Sequence, residues 1–324
     1  MRISTPFGER KQVLPSGNPK RKYFLAYEGS ETERRYFDGI RENKAQIGIH
    51  ALIEILPLLR SHRETGWSHP TRILASLREH LHQMESGCYR ISTIVDWIVD
   101  YAFKAYDSPP LFSEEALRSH LIRRFEGDGQ GLQDTVSDLE RTAAQLAAYL
   151  QDQIAVKDLR HYLKEQAVTY DAAYDRVCII VDRDAKSFLA NQYDSVVRDC
   201  DAQNFQLYVT NPCFEFWLLL HFDAVFTLDP EQLKTNRKIT EKHNYAEVEL
   251  RKLVPGYRKN NIQFPVFHRR IDHAIRNEKS FPEELSALKD NIGSNVGQLI
   301  TELRSLPLSV PSSRNEDHRK KADT

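Results

Sequence analysis

No long apolar run occurs in this sequence of 324 residues, and this absence narrows where the protein can work. A membrane-spanning helix needs roughly 18 or more consecutive apolar residues, and no stretch approaches that length. The N-terminal residues, MRISTPFGERKQVLPSG, also lack the continuous apolar segment of a signal peptide. We therefore expect a cytoplasmic protein with no membrane partner.

Paired cysteines and the common nucleotide-binding and hydrolase motifs are missing as well. The four cysteines lie far apart without a CxxC pair, so reduced thiols are expected instead of a disulfide framework. The chain has no GxxxxGKS or GxxxxGKT loop, no GxGxxG after a strand, no GxSxG and no HExxH. The net charge of −1 gives no overall bias, so a nucleic-acid partner would have to be recognised by a local basic patch.

Four segments have the composition of buried strands. The clearest is VCIIVD (177–182), a continuous apolar run rich in β-branched residues, as expected for a strand that helices cover on both faces. The others are KYFLAY (22–27), ALIEILPL (51–58) and FQLYVT (205–210). The third and fourth strands are each followed by a helical pattern, which is typical of βαβ units. The sequence therefore predicts the α/β class, with an open, parallel, Rossmann-like sheet flanked by helices.

A large helical insertion separates the second predicted strand from the third. Residues 62–171 contain amphipathic stretches such as PTRILASLREHLHQM and STIVDWIVDYAFKAY. A structureless connection of this length is uncommon inside a compact domain, so we interpret this segment as helical. The core would then comprise residues 21–61 and 172–305, with a helical C-terminal part. The polar ends, 1–20 and 306–324, are expected to be disordered tails.

Acidic residues stand where two of the predicted strands end. Glu28 follows the first strand. Asp182 and Asp184 stand at the end of the third, where the period of two in extended backbone turns both carboxylates to one side and Arg183 to the other. In a doubly wound sheet of strand order 2-1-3-4, ligands bind at the carboxyl ends of the first and third strands. Carboxylates that converge there repel one another, and Mg²⁺ or Mn²⁺ would offset the repulsion. The alternative is that Asp182 and Asp184 cap the helix that follows.

The pairing of Glu28-Gly29 with Asp182-Arg183-Asp184 resembles the Toprim domain, in which a Glu-Gly after the first strand and an Asp-x-Asp after the third build a metal-dependent phosphotransfer site. Five segments are also similar, in chain order, to the RloB family of bacterial defence-associated proteins, which have a divergent Toprim-like core. They are EGSETERRYF (28–37), VDRD (181–184), NPCFEFWLLLHF (211–222), GYRKNNI (256–262) and GSNVGQLITEL (293–303). None of these segments lies between about residues 85 and 170.

The resemblance implies specific roles for the acidic residues. Glu28 would act as a general acid/base or bridge the metal ion, and Asp182 and Asp184 would be Mg²⁺ ligands. Glu31 and Glu33 belong to the family's EGxxTE signature. Because both fall on the first helical turns, a supporting or dipole-complementing role competes with ligation for them.

Most of segment 211–222 is explained by folding alone. Asn211 is a suitable N-cap, Pro212 a suitable first helical residue, and His221 lies on an apolar helix face and is predicted to be a core histidine. Glu215 is the exception, because a carboxylate one turn into an apolar helix needs a partner. A metal ion, Arg183 or a lysine would serve. We interpret Glu215 as a candidate catalytic residue and Asn211 as a supporting one.

Residues 251–279 form a basic segment, with eight Lys or Arg against two acids and with Tyr257, Phe264 and Phe267 interleaved. This mixture suits nucleic acid, because cations neutralise phosphates while aromatic rings stack on unpaired bases. The alternatives are a solvated charged face and, for Tyr257 after Pro-Gly, simple packing of a turn. The residues predicted to contact nucleic acid are Arg258, Lys259, Lys252, Arg269 and Arg270.

Together these features predict a Mg²⁺-dependent Toprim-type nuclease that hydrolyses DNA or RNA, tRNA included, in bacterial antiphage defence. The resemblance also implies an alternative from another class, a non-catalytic or conditionally active effector that docks on an ATPase partner through the helical insertion. The sequence leaves open the number of metal ions and the oligomeric state, a homo-oligomer included.

Overall fold

The computed structural model describes residues 20–29, 31–58, 70–104, 113–150, 159, 163, 167–184 and 187–305. The strands in these ranges are β1 (Arg21–Tyr27), β2 (Ile53–Pro57), β3 (Tyr89–Arg90), β4 (Thr135–Val136), β5 (Arg176–Asp182), β6 (Gln206–Asn211) and β7 (Gly293–Ser294). The predicted tails therefore lie outside the described residues, apart from Lys20.

Helices surround these strands along most of the described chain. The first six are α1 (Thr32–Glu42), α2 (Lys44–Ile47), α3 (Pro70–Ser86), α4 (Ile91–Lys104), α5 (Glu114–Gly127) and α6 (Leu139–Leu150). The later ones are α7 (Ala190–Ala202), α8 (Phe214–Leu219), α9 (Pro230–Thr235), α10 (Tyr245–Leu253), α11 (Phe264–His268), α12 (Ile271–Glu278), α13 (Leu285–Leu288) and α14 (Val296–Arg304).

One mixed sheet has the strand order β2-β1-β5-β6-β7, and β3 and β4 form a separate antiparallel pair. β1 pairs in parallel with β2 and with β5, β5 pairs in parallel with β6, and β7 is antiparallel to β6. β2, β1, β5 and β6 are the four strands that the sequence predicts, and they lie in the predicted order 2-1-3-4. The α/β, Rossmann-like fold class is therefore confirmed. β7 was not predicted, because its two residues lack an apolar run.

Alternate residues of the central strands face two different helical layers. Tyr23 and Leu25 pack with α1, α8, α10, α12 and α14, whereas Phe24, Val177 and Ile179 pack with α3 and α7. Since both faces of the sheet are covered, alternation in extended backbone buries nearly all side chains of these strands. This explains why the strands read as continuous apolar runs.

The described part of the connection between β2 and β5 consists mostly of helices, with the short β3–β4 pair among them. α3 lies on the sheet, with Ile73 in the layer that includes Phe24. The elements from β3 to α6 gather a separate apolar core that includes Ile94, Leu121 and Leu146. The segment thus contains one helix that completes the sheet and a group of helices with a core of its own.

The last helix, α14, ties together the layer that covers one face of the sheet. Its Glu302 accepts hydrogen bonds from the hydroxyl of Tyr23 at 2.7 Å and from that of Tyr208 at 3.2 Å. Arg304 donates to the main-chain oxygen of Ile47, at the end of α2, at 2.8 Å. These contacts join β1, β6 and α2 to the helices that follow β6 on this face of the sheet. We call these helices, α8–α12 and α14, the C-terminal layer.

Two broader expectations can be compared with the described residues. Among the described helices, none combines the length and the apolar character needed to cross a bilayer. The four cysteines are free, and Cys178 and Cys200 are buried in the core. The absence of a disulfide framework was predicted from their spacing.

Candidate active site

Glu28 lies against Asp182 where β1 and β5 end side by side. A carboxylate oxygen of Glu28 accepts a hydrogen bond from the main-chain N–H of Asp182 at 3.0 Å, although 154 positions separate the two residues. The main-chain N–H of Glu28 donates to the oxygen of Ile180 at 3.0 Å, which fixes it to the end of β5. Thr210, at the end of β6, donates its hydroxyl to Asp182 Oδ1 at 2.8 Å. The predicted convergence of Glu28 with Asp182 is therefore present.

Glu33 brings a further carboxylate to this place from the first turn of α1. It is 5% exposed, and its carboxyl group lies directly against Gly29, where the Cβ of any other residue would collide with it. Gly29 therefore leaves the space into which Glu33 folds back over the end of β1. Of the two glutamates that follow in the EGxxTE signature, Glu33 is the buried one.

Glu215, in the first turn of α8, is 3% exposed and has two polar partners. Lys259 forms an ion pair with its Oε1 atom at 3.1 Å, and the Tyr257 hydroxyl donates to the same oxygen at 3.2 Å. A hydrogen bond also joins the Tyr257 hydroxyl to Thr32, the residue before Glu33. Of the two protein partners considered for Glu215 from the sequence, Arg183 and a lysine, the lysine is the one in contact with it.

We call Glu28, Glu33, Asp182 and Glu215 the acidic edge. Burial raises the pKa of the Asp182 carboxyl well above its ordinary value of 3.8. The like charge of Glu33 raises it further, as do those of Glu28 and Glu215, while the Thr210 hydroxyl acts in the opposite direction. Concentrating carboxylates at a half-buried position is thus unfavourable in itself.

Among the residues named above, Lys259 is the cation that pairs with a carboxylate of the acidic edge. The Glu215 carboxylate raises the pKa of the Lys259 ammonium above its ordinary value of 10.5, against the effect of partial burial. The charge of Asp182 acts on Lys259 in the same direction. Lys259 is thus within electrostatic reach of both ends of the acidic edge.

Asp184 and Glu31 are both exposed, in contrast to the acidic edge. β5 ends at Asp182, and the main-chain oxygen of Asp184 accepts hydrogen bonds from Ser187 and Phe188 in the turn that leads to α7. Glu31 forms an ion pair with Arg35 at 3.1 Å, one helical turn further along α1. The direct contact between Glu28 and β5 thus involves Asp182, and the role of Asp184 as a ligand stays a prediction.

Arg183 points away from the carboxylates, as the alternation predicts. Its guanidinium is buried, donates to the main-chain oxygen of Phe188 at 2.5 Å and lies 5.3 Å from the ring centre of Tyr193. Its main-chain N–H donates to the oxygen of Thr210 at 2.7 Å, which continues the pairing with β6. Arg183 therefore fastens the turn after β5 and is not the partner of Glu215.

The prediction that Asn211 caps a helix is wrong. Asn211 is the last residue of β6, its main chain pairs with Gly293, and its side chain donates to the oxygen of Leu288 at 2.8 Å. Because these contacts hold Asn211 in the sheet, α8 begins only at Phe214, with Cys213 as its N-cap residue. Asn211 thus holds β6 and α13 together, and its supporting role at the site stays a prediction.

His221 is the core histidine that the sequence predicts. It is fully buried, with Nδ1 3.1 Å from the main-chain oxygen of Trp217 and Nε2 3.1 Å from the Tyr36 hydroxyl. The geometry fits an Nδ1–H that donates to Trp217 and an Nε2 that accepts from Tyr36. Burial lowers the pKa of His221 to about 3, so the ring is neutral at physiological pH.

The aromatic residues of the basic segment do not form a stacking surface. Tyr257 and Phe267 are fully buried, and Phe264 packs edge-on against the ring of Tyr36 with 5.6 Å between ring centres. The expectation that these rings stack on bases is therefore wrong, and the alternative of turn packing holds for Tyr257. Aromatic rings stabilise the core here because each contributes a large apolar surface.

The cations of the same segment remain at the surface. The five residues predicted to contact nucleic acid are all exposed: Lys252, Arg258, Lys259, Arg269 and Arg270. Lys252 pairs with Glu249 at 2.6 Å, and the guanidinium of Arg270 lies 4.9 Å from the ring centre of Phe222. The segment thus offers exposed positive charge, and Lys259 connects it to the acidic edge.

The acidic edge fits a hard divalent cation in its donor set. Mg²⁺ is commonly held by one or two carboxylates together with water and substrate phosphates. Glu28 and Asp182 supply two adjacent carboxylates of this kind. Among the described residues, no three Asp, Glu, His or Cys side chains form a ready-made metal-binding group. The arrangement therefore fits an ion whose remaining ligands come from water and substrate.

Three partners of the acidic edge were not singled out from the sequence as site residues. Thr210 could have been found, because it lies opposite Asp182 on the strand that neighbours β5. Thr32 is the threonine of the EGxxTE signature, which could have pointed to it. The role of the Tyr257 hydroxyl depends on how the loop from 254 to 263 folds back, which the sequence pattern does not show.

The fold and the position of these residues define a Rossmann-like α/β protein with a carboxylate cluster at the carboxyl edge of its sheet. A family model described as RloB-like protein matches residues 23–303. The chain belongs to this RloB-like family, and the match also spans residues 85–170, where the sequence motifs gave no resemblance. Comparison with curated proteins and with solved structures gave no match.

Proposed function

We propose that this protein is a Mg²⁺- or Mn²⁺-dependent nuclease that hydrolyses phosphodiester bonds of DNA or RNA and acts in bacterial antiphage defence. The proposal rests on one observation above all, the 3.0 Å hydrogen bond that places the carboxylate of Glu28 on the main chain of Asp182. The likeness of this pair to the Toprim site supports the reaction class, and the RloB-like family supports the biological setting.

Glu28 and Asp182 would hold the cation, with Asp184 as a third predicted ligand. Bound there, the cation would supply a Lewis acid that polarises a phosphoryl oxygen. Hydrolysis adds water across a P–O bond, so the attacking water must lose a proton and the leaving oxygen must gain one. Glu28 is the carboxylate at the strand end that we assign to this proton transfer. Thr210 and Gly29 act indirectly, since Thr210 orients Asp182 and Gly29 makes room for Glu33.

The exposed cations of the basic segment would hold the nucleic-acid strand beside the acidic edge. Arg258 and Lys259 follow Tyr257, which is anchored to Glu215 of the acidic edge. Their charges therefore start next to the carboxylates, and Arg269 and Arg270 add exposed charge later in the same segment. Such contacts neutralise phosphates without reading sequence, which suits a nuclease of broad specificity.

The test is to incubate the purified protein with plasmid, single-stranded DNA and a tRNA pool, each with Mg²⁺, with Mn²⁺ and with EDTA. Cleavage of at least one substrate that depends on the divalent ion is expected. Glu28→Gln and Asp182→Asn should abolish it, because each change removes one charged ligand and keeps the side-chain shape. Undiminished cleavage by both variants would refute the assignment of the site.

A conditionally active effector that docks on an ATPase stays a prediction from the family resemblance. The group of helices from β3 to α6, with its own apolar core, is the part of the chain that could serve as a docking unit without disturbing the sheet. Co-purification with an ATPase, followed by cleavage that begins only when the ATPase is removed, would favour this version.

A further inference from the structure

Lys259 holds a position at the acidic edge that its sequence context does not explain. It is the second residue after the buried Tyr257, yet its ammonium group reaches Glu215 Oε1 at 3.1 Å while half of its side chain remains exposed. A surface lysine that serves only solubility would extend into water. The position of this one is set by a buried carboxylate next to the candidate metal ligands.

Glu215 fixes the ammonium group because it is itself held on the other side. The Tyr257 hydroxyl donates to the same oxygen at 3.2 Å, and that hydroxyl is also joined to Thr32 in the α1 start. Lys259, Glu215 and Thr32 thus connect three separated motifs of the sequence. A buried polar network with this many partners gives a side chain one defined location.

The ammonium group brings positive charge to the acidic edge, through its ion pair with Glu215. Its charge is felt by Asp182, at the other end of the acidic edge, as well as by Glu215. A second divalent cation that used Glu215 as a ligand would have to displace Lys259 from it. As long as the ion pair stands, Glu215 is neutralised and is not available as a ligand.

We propose that the Lys259 ammonium group takes the place of a second divalent cation, so that the site works with one metal ion and one lysine. This inference rests on the proposed function. Glu215 is then a positioning residue that holds Lys259, and is not a metal ligand. When a phosphodiester binds, Lys259 contacts a non-bridging oxygen of the phosphate.

The test counts metal ions on the full-length chain by Mn²⁺ titration, followed by calorimetry and by the signal of free Mn²⁺ in electron paramagnetic resonance. We expect one Mn²⁺ per wild-type chain. Lys259→Met frees Glu215, so a second ion should bind, and the first should bind about tenfold more tightly because a nearby positive charge is gone. Lys259→Arg keeps the charge and should remain at one ion.

A double variant links the second ion to Glu215. Lys259→Met with Glu215→Gln should return to one Mn²⁺ per chain, because the amide no longer carries the charge that attracts the ion. Lys289→Met serves as the matched control, since it removes a lysine that pairs with Asp194 at 2.7 Å in the layer on the opposite face of the sheet. It should leave both the number of ions and their affinity unchanged. Circular dichroism verifies that each variant is folded.

The outcomes separate this inference from the proposed function. Two ions on the wild-type chain, or a single ion of unchanged affinity in Lys259→Met, would overturn the role of Lys259 while leaving a metal-dependent nuclease in place. A wild-type chain that binds no Mn²⁺ and cleaves no substrate would overturn the proposed function and this inference with it. Weaker binding of single-stranded DNA by Lys259→Met in EDTA, with Lys289→Met unchanged, would support the phosphate contact.

Discussion

Two regions of the molecule bury glutamate carboxylates, and they do so in different ways. At the acidic edge, Glu33 and Glu215 are almost fully buried next to two further acids, Glu28 and Asp182. In the C-terminal layer, Glu278 at the end of α12 is 1% exposed and accepts a hydrogen bond from the main-chain N–H of Gly297 at 3.1 Å. Each region also has a glycine that makes room for a carboxyl group, Gly29 for Glu33 and Gly297 for Glu278.

The two regions differ in how their carboxyl groups are satisfied. The carboxyl group of Glu278 is separate from the acids of the acidic edge and lies at the start of α14. There it accepts hydrogen bonds from main-chain N–H groups and from the Ser294 hydroxyl. This arrangement stabilises the packing of α12 against α14. The acidic edge gathers four carboxylates whose charges oppose one another, which lowers stability unless a cation is bound. A fold that holds mutually repelling carboxylates together is typical of a functional site, because functional sites often trade stability for activity.

The largest effects are expected from the acidic edge itself. Glu28→Gln and Asp182→Asn should each reduce the rate of cleavage about 10³-fold, as expected for the loss of a general acid/base or a metal ligand. In EDTA the same variants should unfold at a higher temperature than the wild type, because one of the repelling charges is gone. Cleavage assays and thermal denaturation followed by circular dichroism measure the two quantities. A loss of both activity and stability would show that the two carboxylates are structural, like Glu278.

Alanine at the two glycines should affect different properties: stability at Gly297 and activity at Gly29. Gly297→Ala puts a Cβ against the Glu278 carboxyl group and 3.3 Å from Ile275, and should reduce the free energy of unfolding by about 2 kcal/mol, as for an overpacked core. Gly29→Ala displaces the carboxyl group of Glu33, and should lower the cleavage rate about tenfold with little change in stability, because a small misplacement at a reacting site is sufficient.

Urea denaturation and cleavage assays on the same two proteins test this pair of glycine variants. If Gly29→Ala loses as much stability as Gly297→Ala and keeps its activity, then Glu33 has a packing role alone, and the distinction between the two regions disappears for that residue.

The exposed cations should affect binding more than catalysis. Replacing Arg258, Arg269 and Arg270 together with alanine should weaken binding of single-stranded DNA about tenfold at moderate salt, and should reduce the slope of log affinity against log salt concentration by about one for each phosphate that is no longer neutralised. Fluorescence anisotropy in EDTA over a salt series measures both. The triple replacement Arg72, Arg78 and Arg198, which lie on α3 and α7, is the control of equal charge. An equal weakening of binding in the control would show that the basic segment has no special part in binding.

The sequence was sufficient for the fold because the fold depends on local patterns. The four apolar runs and the helical patterns between them are enough to predict β1, β2, β5 and β6, and the strand order follows from the rules for doubly wound sheets. β7 could not be predicted in this way, because Gly293 and Ser294 pair with β6 without a pattern of their own. The start of α8 was misplaced because Asn211 is held by contacts with Gly293 and Leu288, which are distant in sequence.

Sequence reasoning predicts only those contacts of the site that follow from the positions of strand ends. Glu28 and Asp182 follow neighbouring parallel strands, so their meeting follows from the topology. The partners of Glu215 do not, because Tyr257 and Lys259 reach it from a loop whose path depends on tertiary packing. The basic segment was misread in part for the same reason. A mixture of cations and aromatic rings looks alike in sequence whether the rings face solvent or, as with Phe267, the core.

The last effect is expected at Glu278 and depends on pH. Burial raises the pKa of Glu278 to about 8, whereas the ordinary value in an unfolded chain is 4.5. The folded protein therefore keeps a proton that the unfolded chain loses, and the stabilisation, complete below about pH 4.5, declines as the pH rises toward about 8.

Glu278→Gln has no proton to lose and keeps an oxygen to accept from Gly297. Its stability relative to the wild type should thus increase between pH 5 and pH 9, as measured by urea denaturation. Glu126→Gln, at an exposed position of α5, should show no such trend. If the wild type and Glu278→Gln followed parallel curves over this range, Glu278 would be ionised in the folded protein, and the contrast between a neutral carboxyl group here and mutually repelling carboxylates at the acidic edge would be lost.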